Sequence, residues 1–121
     1  MSNKVRFAGV QMPVTQNLEK NTQSILTAID WASENKCDWL LTPEGSLSGY
    51  FPSFDLVLPN GMNDLAKATY KIVSYANKKG MGIALGTLWL DIEHRGSIRR
   101  NQIRYYDKQG ELLGETNKKY I

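Results

Sequence analysis

Apolar residues follow strand-like and helix-like spacings in turn along the chain. Short runs rich in apolar and β-branched residues predict three buried strands, at Val5–Gln11, Asp38–Thr42 and Gly82–Leu90. Between these runs, apolar residues recur at the offsets of an amphipathic helix. The spacing predicts one helix that begins near Leu18 and a second helix that covers residues 62–76.

Local signals at the helix ends agree with this assignment. Asn17 suits the N-cap of the first helix, and Gly80 suits the position just past the end of the second. After the third strand, two extended segments flank the turn Asp107–Gly110, which predicts a β-hairpin. The order β-α-β-α-β-β-β favours an α/β fold in which helices cover a sheet.

Composition is that of a globular protein and argues against several partners. With 121 residues, 41% hydrophobic and 22% charged, the chain fits one folded domain. The net charge is only +3 and the basic residues are scattered, so we expect no nucleic-acid partner. No apolar run approaches the length of a membrane helix, so no membrane association is expected. The single cysteine is compatible with a reducing compartment, and we expect a cytoplasmic protein.

Glu44 directly follows the second predicted strand, in the sequence "LLTPEGSLSGYF". Ligands of α/β sheets bind at the carboxyl ends of the strands, so a carboxylate at this place is a candidate general base. A loop glutamate that accepts a backbone N–H or faces water is the alternative. Neither a G-x-G-x-x-G nor a G-x-x-x-x-G-K-[ST] motif occurs, and the only histidine, His94, lies in a polar loop. We therefore expect neither a nucleotide site nor a metal site.

Several spaced motifs together resemble the nitrilase (carbon–nitrogen hydrolase) superfamily. In chain order they are "FAGVQMPV", Asn21, "CDWLLTPEGSLSGY", "GIALGT", the asparagine of "RRNQI", "YYDKQGELL" and "NKKYI". The resemblance covers the whole chain but only about the first half of a usual family domain. It implies the first half of an α-β-β-α sandwich, so that residues 1–121 are a single, incomplete domain of this type.

The resemblance also implies catalytic residues, because the family uses a Glu–Lys–Cys triad. The family's Pro-Glu matches Pro43-Glu44, and its lysine matches Lys118. Lys119 is the alternative if the match is shifted by one residue, since side chains alternate along a strand. We therefore predict that the Glu44 carboxylate and the Lys118 ammonium meet at the carboxyl ends of neighbouring strands.

Two positions depart from the family pattern. Thr42 stands where the family has a bulky apolar residue, which implies a more polar pocket wall. Tyr120 replaces a family histidine, so that residue's supporting contact is not expected here.

The nucleophile of the implied reaction lies after the lysine motif in the family, and residues 1–121 do not contain it. Cys37 stands seven positions before Glu44. Along a strand this spacing corresponds to about 23 Å, far beyond hydrogen-bond reach. We predict that Cys37 is a buried, unreactive core residue.

The sequence thus predicts the N-terminal portion of a carbon–nitrogen hydrolase of the amidase, nitrilase or carbamoylase type. Its substrate would be a small nitrile, amide or carbamoyl compound, from which the enzyme releases ammonia or an amine. The resemblance implies no metal or organic cofactor and suggests a homo-oligomer. Residues 1–121 alone are predicted to be inactive. The alternative is a non-enzymatic α/β binding or interaction module that retains half of the fold.

Overall fold

The computed structural model describes residues 4–50, 59–93 and 96–118. Its elements are β1 (Phe7–Gly9), α1 (Leu18–Glu34), β2 (Trp39–Leu41), α2 (Pro59–Lys78), β3 (Gly82–Glu93), β4 (Gly96–Tyr106) and β5 (Leu112–Asn117). They confirm the predicted order and the α/β class. His94, Lys119 and Tyr120, which the sequence analysis singled out, lie outside the described residues.

All five strands belong to one sheet with the order β1-β2-β3-β4-β5. The strands β1, β2 and β3 are parallel, and β4 and β5 continue the sheet in antiparallel fashion. This arrangement follows from the connections, because a crossover helix returns the chain to a parallel strand whereas a tight turn produces an antiparallel one. The hairpin predicted at Asp107–Gly110 joins β4 to β5.

The helix ends are where the local signals predicted them. The side chain of Asn17 accepts the backbone N–H of Lys20 at 3.0 Å and caps the start of α1. Gly80, two residues after the end of α2, has a φ of 72°, a left-handed conformation that glycine adopts without a side-chain clash.

The two helices pack on the same face of the sheet. Strand residues Ala8, Leu40 and Ile83 share one core with Ile25 of α1 and Ile72 of α2, and all are buried. Leu40 pairs with Ala8 on one side and Ile83 on the other, so these side chains project to one face. Neither helix is long and apolar enough, in the part of the chain that the structure describes, to cross a bilayer.

The opposite face of the sheet is open at β1 and β2, and we call it the open face. Phe7 is 60% exposed and Leu41 is 41% exposed on this face, next to buried residues that point toward the helices. A two-layer α/β structure with one apolar sheet face uncovered is the arrangement expected for part of a sandwich, whose second sheet would cover that face.

The lengths of all three predicted strands were wrong, and β3 continues past Leu90 to Glu93. The strands β1 and β2 have three residues each instead of the longer runs Val5–Gln11 and Asp38–Thr42. After Leu41, the chain leaves the regular ladder and lies along β3 through both backbone and side-chain hydrogen bonds. That departure creates the candidate site.

Candidate active site

The segment 42–50, which we call the Glu44 loop, is bound to β3 along its length. Thr42 donates its backbone N–H to the Ala84 carbonyl at 3.0 Å, and Leu47 donates its N–H to the Gly86 carbonyl at 3.1 Å. The loop passes so close that a Cβ on Gly86 would lie 2.0 Å from the Pro43 carbonyl oxygen. Only a residue without a side chain permits this approach.

Buried hydroxyl groups bind the backbone of β3 where the regular ladder with β2 ends. Thr42 Oγ1 accepts the Gly86 N–H at 2.9 Å, and Ser48 Oγ accepts the Leu88 N–H at 2.8 Å. The Ser46 hydroxyl donates to Thr42 Oγ1 at 2.8 Å. The polar residue at position 42 therefore satisfies backbone groups inside the structure. The expectation that Thr42 would make a pocket wall polar is wrong.

Glu44, Lys118 and Asn101 meet at one carboxylate oxygen. Lys118 Nζ lies 3.1 Å from Glu44 Oε1, and Asn101 Nδ2 donates a hydrogen bond to the same oxygen at 2.7 Å. The backbone N–H of Lys118 also donates to the Asn101 carbonyl at 2.8 Å. The structure thus brings the two predicted catalytic groups together, and their catalytic roles stay a prediction.

The expectation that these groups come from neighbouring strands is wrong. Glu44 follows β2 and Lys118 follows β5, and two strands, β3 and β4, lie between them in the sheet. The distance is bridged because the Glu44 loop crosses β3 at Gly86. By register, Gly86 and Asn101 belong to the same face as Leu41, so the cluster lies on the open face.

The site is accessible to solvent. The side chain of Glu44 is 41% exposed and that of Lys118 is 65% exposed. A groove of about 850 Å³ lies elsewhere, between the edge strand β1 and α1, and it includes neither of these residues. Glu44 and Lys118 therefore lie together at the surface of the described residues.

Tyr50 closes the Glu44 loop on itself. Its hydroxyl donates to the Glu44 carbonyl at 2.7 Å, and its ring covers Gly45, where a Cβ would approach the ring to 2.9 Å. Burial raises the pKa of Tyr50, the charge of Glu44 raises it further, and Lys118 opposes the rise. The tyrosine is therefore protonated at neutral pH and remains a hydrogen-bond donor.

Asn21 connects the loop to the first helix. This buried side chain accepts the Thr15 hydroxyl at 2.6 Å and the Thr15 N–H at 3.2 Å. Its amide donates to the Thr15 carbonyl at 2.8 Å and to the Leu47 carbonyl at 3.0 Å. Sequence reasoning used Asn21 and Asn101 only as motif members. Asn21 lies on the core face of a helix and Asn101 lies inside a strand. A polar residue at either place was the available sequence signal for such contacts.

We expect Asn21→Ala to lower the free energy of unfolding by about 2–4 kcal/mol, because it leaves several buried polar groups without partners. Urea denaturation measures the change. The matched control is Asn77→Ala, since Asn77 also donates from a helix to a distant carbonyl, that of Lys108, but is exposed. Its loss should stay below about 1 kcal/mol. Equal losses in the two variants would contradict the role assigned to Asn21.

Cys37 is half-buried rather than fully buried as predicted. It packs against the edge of the core and precedes β2, whereas Glu44 follows that strand. The thiol therefore lies at the opposite end of β2 from the candidate site. Its partial exposure results from its place in the turn after α1, where the backbone N–H of Cys37 binds the Ala32 carbonyl.

Comparison with known proteins gives one family match and several similar solved structures. A sequence model of the carbon–nitrogen hydrolase family matches residues 6–121. No protein with a curated description matches the chain. Similar solved structures include the NitFhit protein of C. elegans (26% identity, TM-score 0.71) and an amidase from Nesterenkonia sp. (25% identity, TM-score 0.74).

These structures are much longer than the present chain. The matches cover 95% and 94% of this chain but only 28% and 42% of the NitFhit and amidase chains. The chain therefore spans less than half of their length, and its fold is part of theirs. Mutants of the Nesterenkonia amidase have also been solved with butyramide and with acrylamide added to the active-site cysteine.

Proposed function

Because the chain belongs to the carbon–nitrogen hydrolase family, we propose that it carries the general base and the electrostatic stabiliser of an amide-hydrolysing site. Glu44 is the base and Lys118 is the stabiliser. The observation that supports these roles is the contact between them, in which Lys118 Nζ lies 3.1 Å from Glu44 Oε1 on an accessible sheet face.

In the proposed reaction, Glu44 takes the proton of a cysteine thiol while the sulfur forms a bond to the amide carbon. The C=O electron pair moves to oxygen, and the Lys118 ammonium stabilises the resulting negative charge. When the C–N bond breaks, the nitrogen takes the proton from Glu44 and leaves as ammonia or an amine. Water then attacks the thioester, Glu44 accepts a water proton, and the carboxylic acid leaves as the thiol is restored.

The proposed thiol is not Cys37. This is the only cysteine among residues 1–121, and it lies at the far end of β2. The nucleophile must instead approach Glu44 from the open face, where both catalytic groups are exposed. We propose that a segment outside residues 1–121 brings it there.

The proposed substrate class is small aliphatic amides. Butyramide and acrylamide are the compounds bound to the Nesterenkonia amidase, whose fold this chain shares in part. A nitrile or a carbamoyl compound would use the same base and the same cation, since negative charge also develops on its heteroatom during thiolate attack.

Ammonia release from amides, nitriles and carbamoyl compounds tests the proposal. The assay compares the native gene product, its Cys37→Ala variant and residues 1–121 expressed alone. We expect turnover by the first two and none by the third. An inactive Cys37→Ala variant that remains folded would identify Cys37 as the nucleophile and contradict the assignment.

A second candidate function is a non-enzymatic binding or interaction module, whose partner would be a second copy of the chain, as in the homo-oligomer expected above. The exposed apolar side chains of Phe7 and Leu41 on the open face favour it, because such surfaces associate. Absence of ammonia release by the folded native gene product, together with a mass in solution above that of one chain, would support this function over the first.

A further inference from the structure

We propose that Asn101 is a positioning residue, which holds both Glu44 and Lys118 in the geometry of the proposed reaction. The kinetic part of this inference rests on the proposed function. The structural part concerns only how residues of this chain hold one another.

Asn101 reaches the two groups by different atoms. Its side-chain amide donates to Glu44 Oε1 at 2.7 Å, and its backbone carbonyl accepts the Lys118 N–H at 2.8 Å. One residue of β4 thus binds a carboxylate that follows β2 and a lysine that follows β5. Because its own backbone is fixed by antiparallel pairing with Leu88, any shift of Asn101 would move both groups.

Two donors contact the same oxygen of the Glu44 carboxylate. The Asn101 amide and the Lys118 ammonium both contact Oε1. The two contacts at Oε1 therefore restrict the rotation of the Glu44 carboxyl group.

The character of the Asn101 side chain matters as much as its position. The amide donates through Nδ2 and carries no charge, so it holds the carboxylate without exchanging a proton with it. A carboxylate at this place would instead compete with Glu44 for a single proton, because two carboxylates in contact cannot both ionise freely.

The test compares Asn101→Asp and Asn101→Ala in the native gene product. For Asn101→Asp, which keeps the size of the side chain, we expect the acidic limb of the pH–kcat profile to move to higher pH by about one unit or more. For Asn101→Ala, we expect kcat to fall by about 10- to 100-fold, with KM within about twofold of the native value.

The matched control is Asn117→Asp, on the neighbouring strand. Asn117 accepts a hydrogen bond from Gln102 at 2.8 Å, on the face opposite to Glu44. Its substitution should leave the acidic limb in place. An unmoved limb in Asn101→Asp, or equal shifts in the two variants, would overturn the proposal.

A crystal structure of Asn101→Ala gives a readout that needs no activity. We expect Glu44 Oε1 to move by about 1 Å or more, because the hydrogen bond from the Asn101 side chain is lost. The pairing of β4 with β3 and β5 should be kept. An unchanged contact between Glu44 and Lys118 would overturn the positioning role. If the native gene product releases no ammonia, the proposed function fails, and this structural comparison still decides the role of Asn101.

Discussion

Replacing Glu44 by glutamine is expected to lower the rate of amide hydrolysis by about 1,000-fold, the loss typical of removing a general base. Glutamine preserves the size of the side chain and offers an oxygen where Oε1 now accepts the Asn101 amide. It cannot accept the thiol proton at neutral pH. The substitution therefore removes the proposed chemistry while it keeps the geometry of the contact.

The fold should survive this change. Glu44 and Lys118 are more than one third exposed, so solvent screens their attraction and its loss costs less than about 1 kcal/mol. We expect the urea midpoint of Glu44→Gln to remain close to that of the native protein. Activity and stability are thus predicted to change independently.

Initial rates of ammonia release by the native gene product measure the effect. The matched control is Glu111→Gln, which removes one carboxylate from an exposed position in the β4–β5 turn. It should retain the full rate. A Glu44→Gln variant that keeps more than about one tenth of the rate would show that another group accepts the proton.

The order of elements was predictable from sequence because its signals are local. Asn17 caps α1 with its own side chain, and Gly80 follows α2 in a left-handed conformation, so a few adjacent residues contain the information. Strand ends depend instead on partners. The run ending at Thr42 is apolar enough for a longer strand, but its ladder ends at Leu41, where the chain turns into the Glu44 loop.

The site was predictable only in part for the same reason. Position and motif singled out Glu44 and Lys118, and the structure brings them together. The hydrogen bond from Asn101 to Glu44 could not be predicted, because the two residues are 57 positions apart and their contact depends on sheet register. The expectation of neighbouring strands failed because no sequence signal shows that the loop crosses β3.

Gly86 should be highly sensitive to substitution. Gly86→Ala is expected to lower the free energy of unfolding by at least about 3 kcal/mol. The added Cβ would lie 2.0 Å from the Pro43 carbonyl oxygen and 2.8 Å from its carbon. Both atoms belong to the backbone, so no side-chain rotation relieves the clash, and the Glu44 loop must move away from β3.

Such a movement breaks the contacts that position Glu44. The Leu47 N–H would lose the Gly86 carbonyl, and the Gly86 N–H would lose Thr42 Oγ1. Buried groups without partners account for much of the expected loss, since each costs about 1–3 kcal/mol. We also expect ammonia release to fall by about 100-fold even in conditions where the variant is folded, because displacement by about 1 Å disrupts catalytic geometry.

Gly114→Ala is the matched control for Gly86→Ala. Gly114 also lies inside a strand, β5, but a Cβ there would have no neighbour within 4 Å. Alanine restricts the unfolded chain more than glycine, so this variant should be as stable as the native protein or more stable by up to about 1 kcal/mol. Comparing the urea denaturation of the two variants distinguishes the stability lost through the clash with the Glu44 loop from the general effect of replacing a glycine. Similar midpoints for the two variants would show that the Glu44 loop does not lie against Gly86 in solution.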